Sequence, residues 1–345
     1  MTVASGSIIA VLVTYNRLFA LKHSLQCCKQ VGFDAVMVVD NASTDGTSQF
    51  LAELASQWPA LRVHTMRSNA GGAGGFASGL QQVREWHQKG SLPANSWCVL
   101  FDDDAYPEPG CIQLFRRNAA STHYTSRMAV GAAVFNADGE VAEVNRPILN
   151  VFRRPYRLTT SLFSTAKGTT LSVRDLYHVS NRFLLARSSS CEVDAISFVG
   201  LFLNLDRLAQ HGYPLPNVDL FIYGDDTLYT WGLSRCKSDL LLDSRLGFVH
   251  DTRTGYELGV VRPLWKLFYL TRNSWFVYHS LIGPIFGPVF FLIGLLSKWF
   301  TTRRYPSSVE KRQARSALRL ALLDLVSKRR SRSLQSVMDV LRVNG

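Results

Sequence analysis

The sequence predicts an α/β fold with a mainly parallel sheet flanked by helices, followed by a helical C-terminal region. Three observations lead there. Short apolar runs alternate with segments of helical periodicity through the first hundred residues, the mark of βαβ units. The runs are continuously apolar rather than alternating, as strands buried on both faces are. Each run also ends in polar residues, where open α/β sheets bind their ligands.

The elements follow in order. Ile8 to Val13 is a β-branched run ending in Thr14-Tyr15-Asn16-Arg17. Leu18 to Lys29 has helical spacing, with Leu21 and Leu25 on one face. Ala35 to Val39 is a second strand, ending in Asp40-Asn41-Ala42-Ser43. Thr44 to Trp58 reads as a helix with Phe50, Leu51 and Leu54 as its stripe, and Leu61 to Met66 as a third strand. Phe76 to Lys89 reads as a helix, and Trp97 to Phe101 as a fourth strand running into Asp102, Asp103 and Asp104. Beyond residue 105 strand-like pieces (Met128–Phe135, Phe198–Leu205, Leu240–Phe248) mix with polar loops, and 145–190 is basic, Ser/Thr-rich and without a readable order. Helical periodicity returns after Leu264.

Composition narrows the class. The chain is 47% hydrophobic and 11% aromatic, which excludes a disordered protein and supplies a large core. Six cysteines show neither a CxxC pair nor zinc spacing and read as small buried hydrophobes of a reducing compartment. No basic signal-peptide segment precedes Ile8. A cytoplasmic location is therefore expected. The net charge of +12 is concentrated at the end: residues 298–345 hold twelve Lys/Arg against Glu310, Asp324 and Asp339. A basic tail seeks acidic surfaces, nucleic acid or anionic lipid.

Three motifs carry chemistry. Three adjacent carboxylates repel one another unless a cation sits among them. Oxygen ligands on a rigid strand end suit Mg²⁺ or Mn²⁺, and a solvated acidic turn ahead of Pro107 and Pro109 is the alternative. Asn69-Ala70-Gly71-Gly72-Ala73-Gly74-Gly75-Phe76 lies between a strand and a helix, where glycines let backbone N–H groups approach an anion. It lacks the Lys of a phosphate-binding P-loop and does not follow the first strand as a dinucleotide fingerprint does. Phe221-Ile222-Tyr223-Gly224-Asp225-Asp226 is a second carboxylate pair after an apolar run and could hold a general base. His250 follows the apolar run Leu246–Val249 and gains meaning as a ligand only if a metal sits at Asp102 and Asp104.

In this order, with Val13-Thr14-Tyr15-Asn16 and Val38-Val39-Asp40-Asn41 ahead of the glycines, the motifs resemble the inverting glycosyltransferases of family 2. Their GT-A fold is a Rossmann-like, mainly parallel sheet flanked by helices. The likeness covers roughly residues 7–275 and is closest to galactofuranosyltransferases and related rhamnosyltransferases, through Arg67–Phe76 and the triple Asp. It implies a metal held by Asp102, Asp104 and His250, with Mn²⁺ or Mg²⁺ as cofactor. It places Asp103 facing the sugar and Asp40 against the nucleotide base. Thr14 and Asn16 become neighbours of the nucleotide, and Asn69, Gly71 and Gly72 lie along ribose and diphosphate. Asp226 is implied as the catalytic base, with Asp225 beside it. Family members often carry Trp-Asp-Asp-x-Glu here. This chain has Gly224 in place of the Trp, and Tyr229 three residues after Asp226. Val199-Gly200-Leu201-Phe202 stands where relatives carry an aromatic acceptor wall, which implies a different acceptor.

The resemblance implies transfer of galactofuranose from UDP-galactofuranose to a hydroxyl of a cell-surface glycan or lipid-linked acceptor, with dTDP-rhamnose as the alternative donor. Two other classes compete: a polymerase, whose metal hairpin Tyr223–Asp226 imitates, and a non-catalytic, membrane-associated nucleotide-binding assembly protein. The chain is short for a polymerase and its cations adjoin an apolar segment rather than an aromatic-lined groove, so no nucleic acid partner is expected. Asn273 to Ser297 holds no Asp, Glu, Lys or Arg but is broken by Pro284 and Pro288. It reads as interfacial, re-entrant or core, with the tail on anionic headgroups. The expected organisation is a catalytic domain at 1–257, with a donor half (1–125) and an acceptor half (126–257), and a membrane-associating region at 258–345. The expected location is peripheral, on the inner face of the cell membrane; a homo-oligomer is compatible with this.

Overall fold

The computed structural model describes residues 6–150, 177–236, 240–251 and 260–343. The chain divides into two compact units, one of residues 1–69, 75–216 and 229–252, the other of residues 70–74, 217–228 and 253–345. The domain boundary expected at 257/258 lies outside the described residues, as does most of the unreadable stretch 145–190.

The first unit is organised by one sheet. β1 (Ile8–Thr14), α1 (Leu18–Val31), β2 (Ala35–Asp40), α2 (Thr47–Gln57), β3 (Leu61–Thr65), α3 (Gly71–Gln88) and β4 (Trp97–Asp102) run in the predicted order. Then come β5 (Ala105–Pro107), α4 (Cys111–Asn118), α5 (Thr122–Thr125), β6 (Ala129–Phe135), β7 (Ser190–Glu192), β8 (Leu201–Asn204) and β9 (Leu240–His250). The sheet order is β3-β2-β1-β4-β8-β6-β9-β5, with β7 also paired to β9. β1 to β4 pair in parallel, as do β6 and β9, while β8 runs antiparallel between β4 and β6. The halves expected at 1–125 and 126–257 thus share this sheet.

Both faces of β1 are buried, which is why its sequence is uninterrupted by polar residues. Ile8, Ala10 and Leu12 join a core with Leu21, Leu25, Leu51 and Phe115, under α1, α2 and α4. Ile9, Val11 and Val13 join the opposite core with Phe76, Leu80 and Val83 of α3. Burying each such aliphatic side chain is worth roughly 1.5–3 kcal/mol.

The glycine run differs from the expected loop, because α3 begins at Gly71 rather than near Phe76. The glycines bring this helix close to β1. A Cβ on Gly75 would stand 2.4 Å from Val13 Cγ1, and one on Gly79 2.6 Å from Val11 Cγ1. Gly71 takes a φ of +73°, in the left-handed region that glycine enters without strain.

The second unit is helical around its own core. Helices Trp265–Ile282, Phe286–Thr301, Ser308–Val326 and Leu334–Val343 enclose Phe268, Tyr269, Ala314, Leu318 and Val337. The break between the first two falls at Pro284. Pro288 sits in the first turn of the second helix, where its missing N–H has no intrahelical partner to lose. Among the described residues, no helix is long and apolar enough to cross a membrane.

Gly75→Ala is expected to destabilise the protein by about 1–3 kcal/mol through overpacking. Adding Val13→Ala should restore part of that loss. Urea titration of both variants checks it, and strictly additive losses would show that Gly75 has another role.

Candidate active site

β4 delivers the three aspartates to the carboxyl end of the parallel strands, and the second ligand source arrives by strand pairing. β5 pairs antiparallel with β9 so that Ala105 faces His250, and the Asp251 N–H donates to the Asp104 carbonyl at 2.9 Å. That register sets His250 against Asp104 across nearly 150 residues of sequence. Ligand atoms of Asp102, Asp104 and His250 all lie within 4.8 Å of one another.

The cluster has the chemistry of a divalent-cation site. Asp104 Oδ1 is buried and accepts no hydrogen bond, and it stands 3.3 Å from His250 Nε2. A buried oxygen without a donor is costly in a native protein; here it faces the cluster. Two carboxylates and an imidazole suit a divalent cation such as Mn²⁺ or Mg²⁺.

His250 is oriented from behind. Its Nδ1 is 2.8 Å from Asn145 Oδ1, and Asn145 Nδ2 in turn donates to Ser197 Oγ at 3.0 Å. With the amide turned this way its oxygen accepts from Nδ1–H, leaving Nε2 to face Asp104. Burial alone would lower the His250 pKa, but the close Asp104 carboxylate and the Asp102 charge outweigh it, and the pKa is raised. Burial would likewise raise Asp104, yet His250 and Arg17 hold it below the usual carboxylate range.

Asp103, expected to face the sugar, is only 3% exposed. Thr14 Oγ1 donates to its Oδ2 at 2.7 Å and Arg17 Nη1 to its Oδ1 at 3.2 Å. Burial pushes its pKa up to about 7; Arg17 opposes this and Asp104 adds to it. Arg17 Nη1 also reaches Asp104 Oδ2 at 2.8 Å. Arg17 directly follows Asn16 at the β1 exit, yet sequence reading passed over it. Asn145 left no sequence signal, lying at the edge of the unreadable stretch.

The remaining nucleotide-side candidates shape the neighbouring loops. Asp40 is fully buried; it accepts from the Ser43 N–H at 2.9 Å and from the Ser48 hydroxyl. Asn16, at φ +52°, accepts from the Thr44 N–H at 2.6 Å and donates its own N–H to Ser43 Oγ, tying the β1 and β2 exits together. Asn69 precedes α3. Val199, Leu201 and Phe202 are buried and form sheet core rather than an exposed wall.

In the second unit, Asp225 and Asp226 open a helix, Asp225–Arg235. They are not the turn of a β-hairpin, which removes the structural basis of the polymerase reading. Desolvation raises the Asp226 pKa, against hydrogen bonds from Thr227, the direction that suits a proton acceptor. The preceding loop is strained, with φ of +65° at Phe221 and +68° at Tyr223, and buried side chains hold it. Asn273 Nδ2 donates to the carbonyls of Leu220, Ile222 and Tyr223 at 2.8–2.9 Å. Arg272 Nη2 donates to the Asp219 carbonyl at 2.7 Å. Gly224 is required here: its φ is +79°, and a Cβ would stand 2.8 Å from Val277 Cγ2. No Trp fits that position. Gly72 belongs to this unit too; a Cβ there would lie 3.9 Å from Asp225 Oδ2. Tyr229 is a core residue packed on Phe198.

A mainly parallel sheet flanked by helices, with a two-carboxylate, one-imidazole cluster at its carboxyl edge, is the architecture of the GT-A class. The family comparison bears on the activity. Residues 9–177 match the family model described as Glycosyl transferase family 2, and the chain is a glycosyltransferase. No curated protein matches it in sequence. Among solved structures, GalNAc-T7 with UDP, GalNAc and Mn²⁺ is 12% identical with a TM-score of 0.51, over 94% of this chain and 58% of that one. S. aureus TarS 1–349 with UDP is 13% identical, TM-score 0.48, over 94% and 89%. The mannosyltransferase PcManGT from Pyrobaculum calidifontis, with GDP-Man and Mn²⁺, is 16% identical, TM-score 0.49, over 98% and 86%.

Asn145→Leu is expected to weaken Mn²⁺ binding by about 10–100-fold, the usual effect of removing a group that orients a metal-ligating His; calorimetric titration with the metal alone measures it. Mn²⁺ affinity of the natural protein is expected to rise with pH through the raised His250 titration, above about 6.5. The proton on Nε2 must leave for the metal to bind. An affinity flat across that range would remove His250 from the ligand set.

Proposed function

We propose that the protein is an inverting, metal-dependent hexosyltransferase that moves galactofuranose from UDP-galactofuranose to a hydroxyl of a cell-surface glycan or lipid-linked acceptor. The observation that carries the reading is the cluster of Asp102, Asp104 and His250, with its orphaned Asp104 oxygen. The glycosyl transferase family 2 match over residues 9–177 supports it. The choice of sugar rests on the resemblance of Arg67–Phe76 and the triple Asp to galactofuranosyltransferases; dTDP-rhamnose is the second donor. A cytoplasmic location fits the pool from which nucleotide sugars are drawn.

Asp102, Asp104 and His250 would hold Mn²⁺ or Mg²⁺, which when bound neutralises charge on the leaving diphosphate. Asp226 acts as general base and accepts the acceptor hydroxyl's proton. The freed oxygen bonds to C1 of the sugar as the C1–O bond to the diphosphate breaks, so one displacement inverts the anomeric centre. By the resemblance, Thr14, Asn16, Asp40, Asn69, Gly71 and Gly72 border the nucleotide, with Asp225 beside the base; Asp103, set toward the sugar by that likeness, accepts from Thr14 and Arg17.

Asp226→Asn should lower kcat by about 10²–10⁴-fold while UDP and Mn²⁺ still bind. Near-normal turnover in that variant would eliminate the base assignment. EDTA should abolish transfer and Mn²⁺ or Mg²⁺ restore it. Full activity in EDTA would remove the metal, and absence of transfer with every donor would favour the non-catalytic assembly protein. For the donor, thermal stabilisation by a panel of nucleotide sugars with metal, followed by product analysis, should single out UDP-galactofuranose.

A further inference from the structure

The second unit has an outward apolar stripe that its own core does not use. On helix Phe286–Thr301 and the residue before it, Ile285, Val289, Leu292, Ile293, Leu296 and Phe300 are each 50–76% exposed. Their spacing of three and four residues sets them on one helical face. The opposite face is taken up inside the unit: Gly287 and Phe291 are buried, Phe291 meets Trp275 edge-on at 5.3 Å, and Leu295 and Trp299 pack on the unit's core. Six large apolar side chains on one stripe form the kind of continuous exposed patch that marks an interaction surface.

Charge identifies the partner. From residue 258 to residue 309 the chain has no Asp or Glu, but has Arg262, Lys266, Arg272, Lys298, Arg303 and Arg304. Arg303 and Arg304 are exposed at the stripe's C-terminal end, and the Arg303 guanidinium lies 5.2 Å from the Phe300 ring. A second copy of the chain would bring two such cationic ends together, like charge on like charge. Anionic headgroups above an apolar layer match both the stripe and its arginines. At 16 residues the helix is about 24 Å long, suited to lying along a surface.

We propose that this stripe docks the protein on a bilayer surface containing anionic lipids, with the helix in the plane of the headgroups and Arg303 and Arg304 on lipid phosphates. The segment that the sequence left as interfacial, re-entrant or core thereby divides: helix Trp265–Ile282 contributes to the core and helix Phe286–Thr301 is interfacial. The inference does not depend on the transferase reading.

The test is co-sedimentation of the full chain with vesicles of phosphatidylcholine alone or mixed with phosphatidylglycerol, with oligomeric state measured by light scattering. The natural protein should bind the mixed vesicles and lose binding as salt rises. Leu292→Gln with Leu296→Gln should cut binding by about a hundredfold, and Arg303→Gln with Arg304→Gln by about thirtyfold. All four side chains are on the surface, so unchanged melting and unchanged Mn²⁺ affinity will show both variants folded. No binding to either vesicle, or equal binding to both, would overturn the proposal. So would a dimer that the leucine variant dissociates.

Discussion

Concentrated negative charge at one strand end is the constraint around which the first unit is built. A parallel strand buried on both faces delivers Asp102, Asp103 and Asp104 to a place with little water, where like charges raise one another's pKa. The protein answers with three different devices. Asp103 turns inward onto Thr14 and Arg17, and burial brings it up to about 7. Asp104 shares Arg17 and faces His250. One buried oxygen of Asp104 is left without a donor. Arg17 is 42% exposed, so its ion pairs are weakened by solvent, worth about 0–1 kcal/mol each.

The imidazole shows how such a site is kept from collapsing on itself. His250 already faces Asp104 at 3.3 Å. Asn145, itself held by Ser197, fixes the ring through Nδ1. The β5–β9 pairing fixes the backbone on either side. Orientation is thus supplied by neutral hydrogen bonds, and charge by the three residues that face one another.

The second unit uses neutral hydrogen bonds for a different purpose. Two left-handed residues, Phe221 and Tyr223, precede Asp225 and Asp226, and each such strained position costs about 1–3 kcal/mol. Asn273 offsets this by binding the carbonyls of Leu220, Ile222 and Tyr223, while Arg272, fully buried among Phe268 and Tyr269, adds the Asp219 carbonyl. Gly224 stands where the family resemblance leads one to expect Trp, and the loop takes a left-handed turn there beside Val277. That departure is a packing consequence of the helix Trp265–Ile282.

Local pattern alone determined the alternating strands and helices, the polar strand ends and the carboxylate cluster, because burial on both faces leaves continuous apolar runs and chemistry collects where they stop; His250 joined that cluster only through the family resemblance. The glycine run was legible as a close backbone approach but not as to what it approaches: it meets Val13 and Val11 as well as any ligand. Tertiary structure decided the antiparallel insertion of β8, the β5–β9 register that brings His250 to Asp104, and the roles of Arg17, Asn145 and Asn273. It also decided which apolar helix faces outward. Those outcomes depend on pairing between segments distant in sequence, and such pairing leaves no periodic trace in either partner.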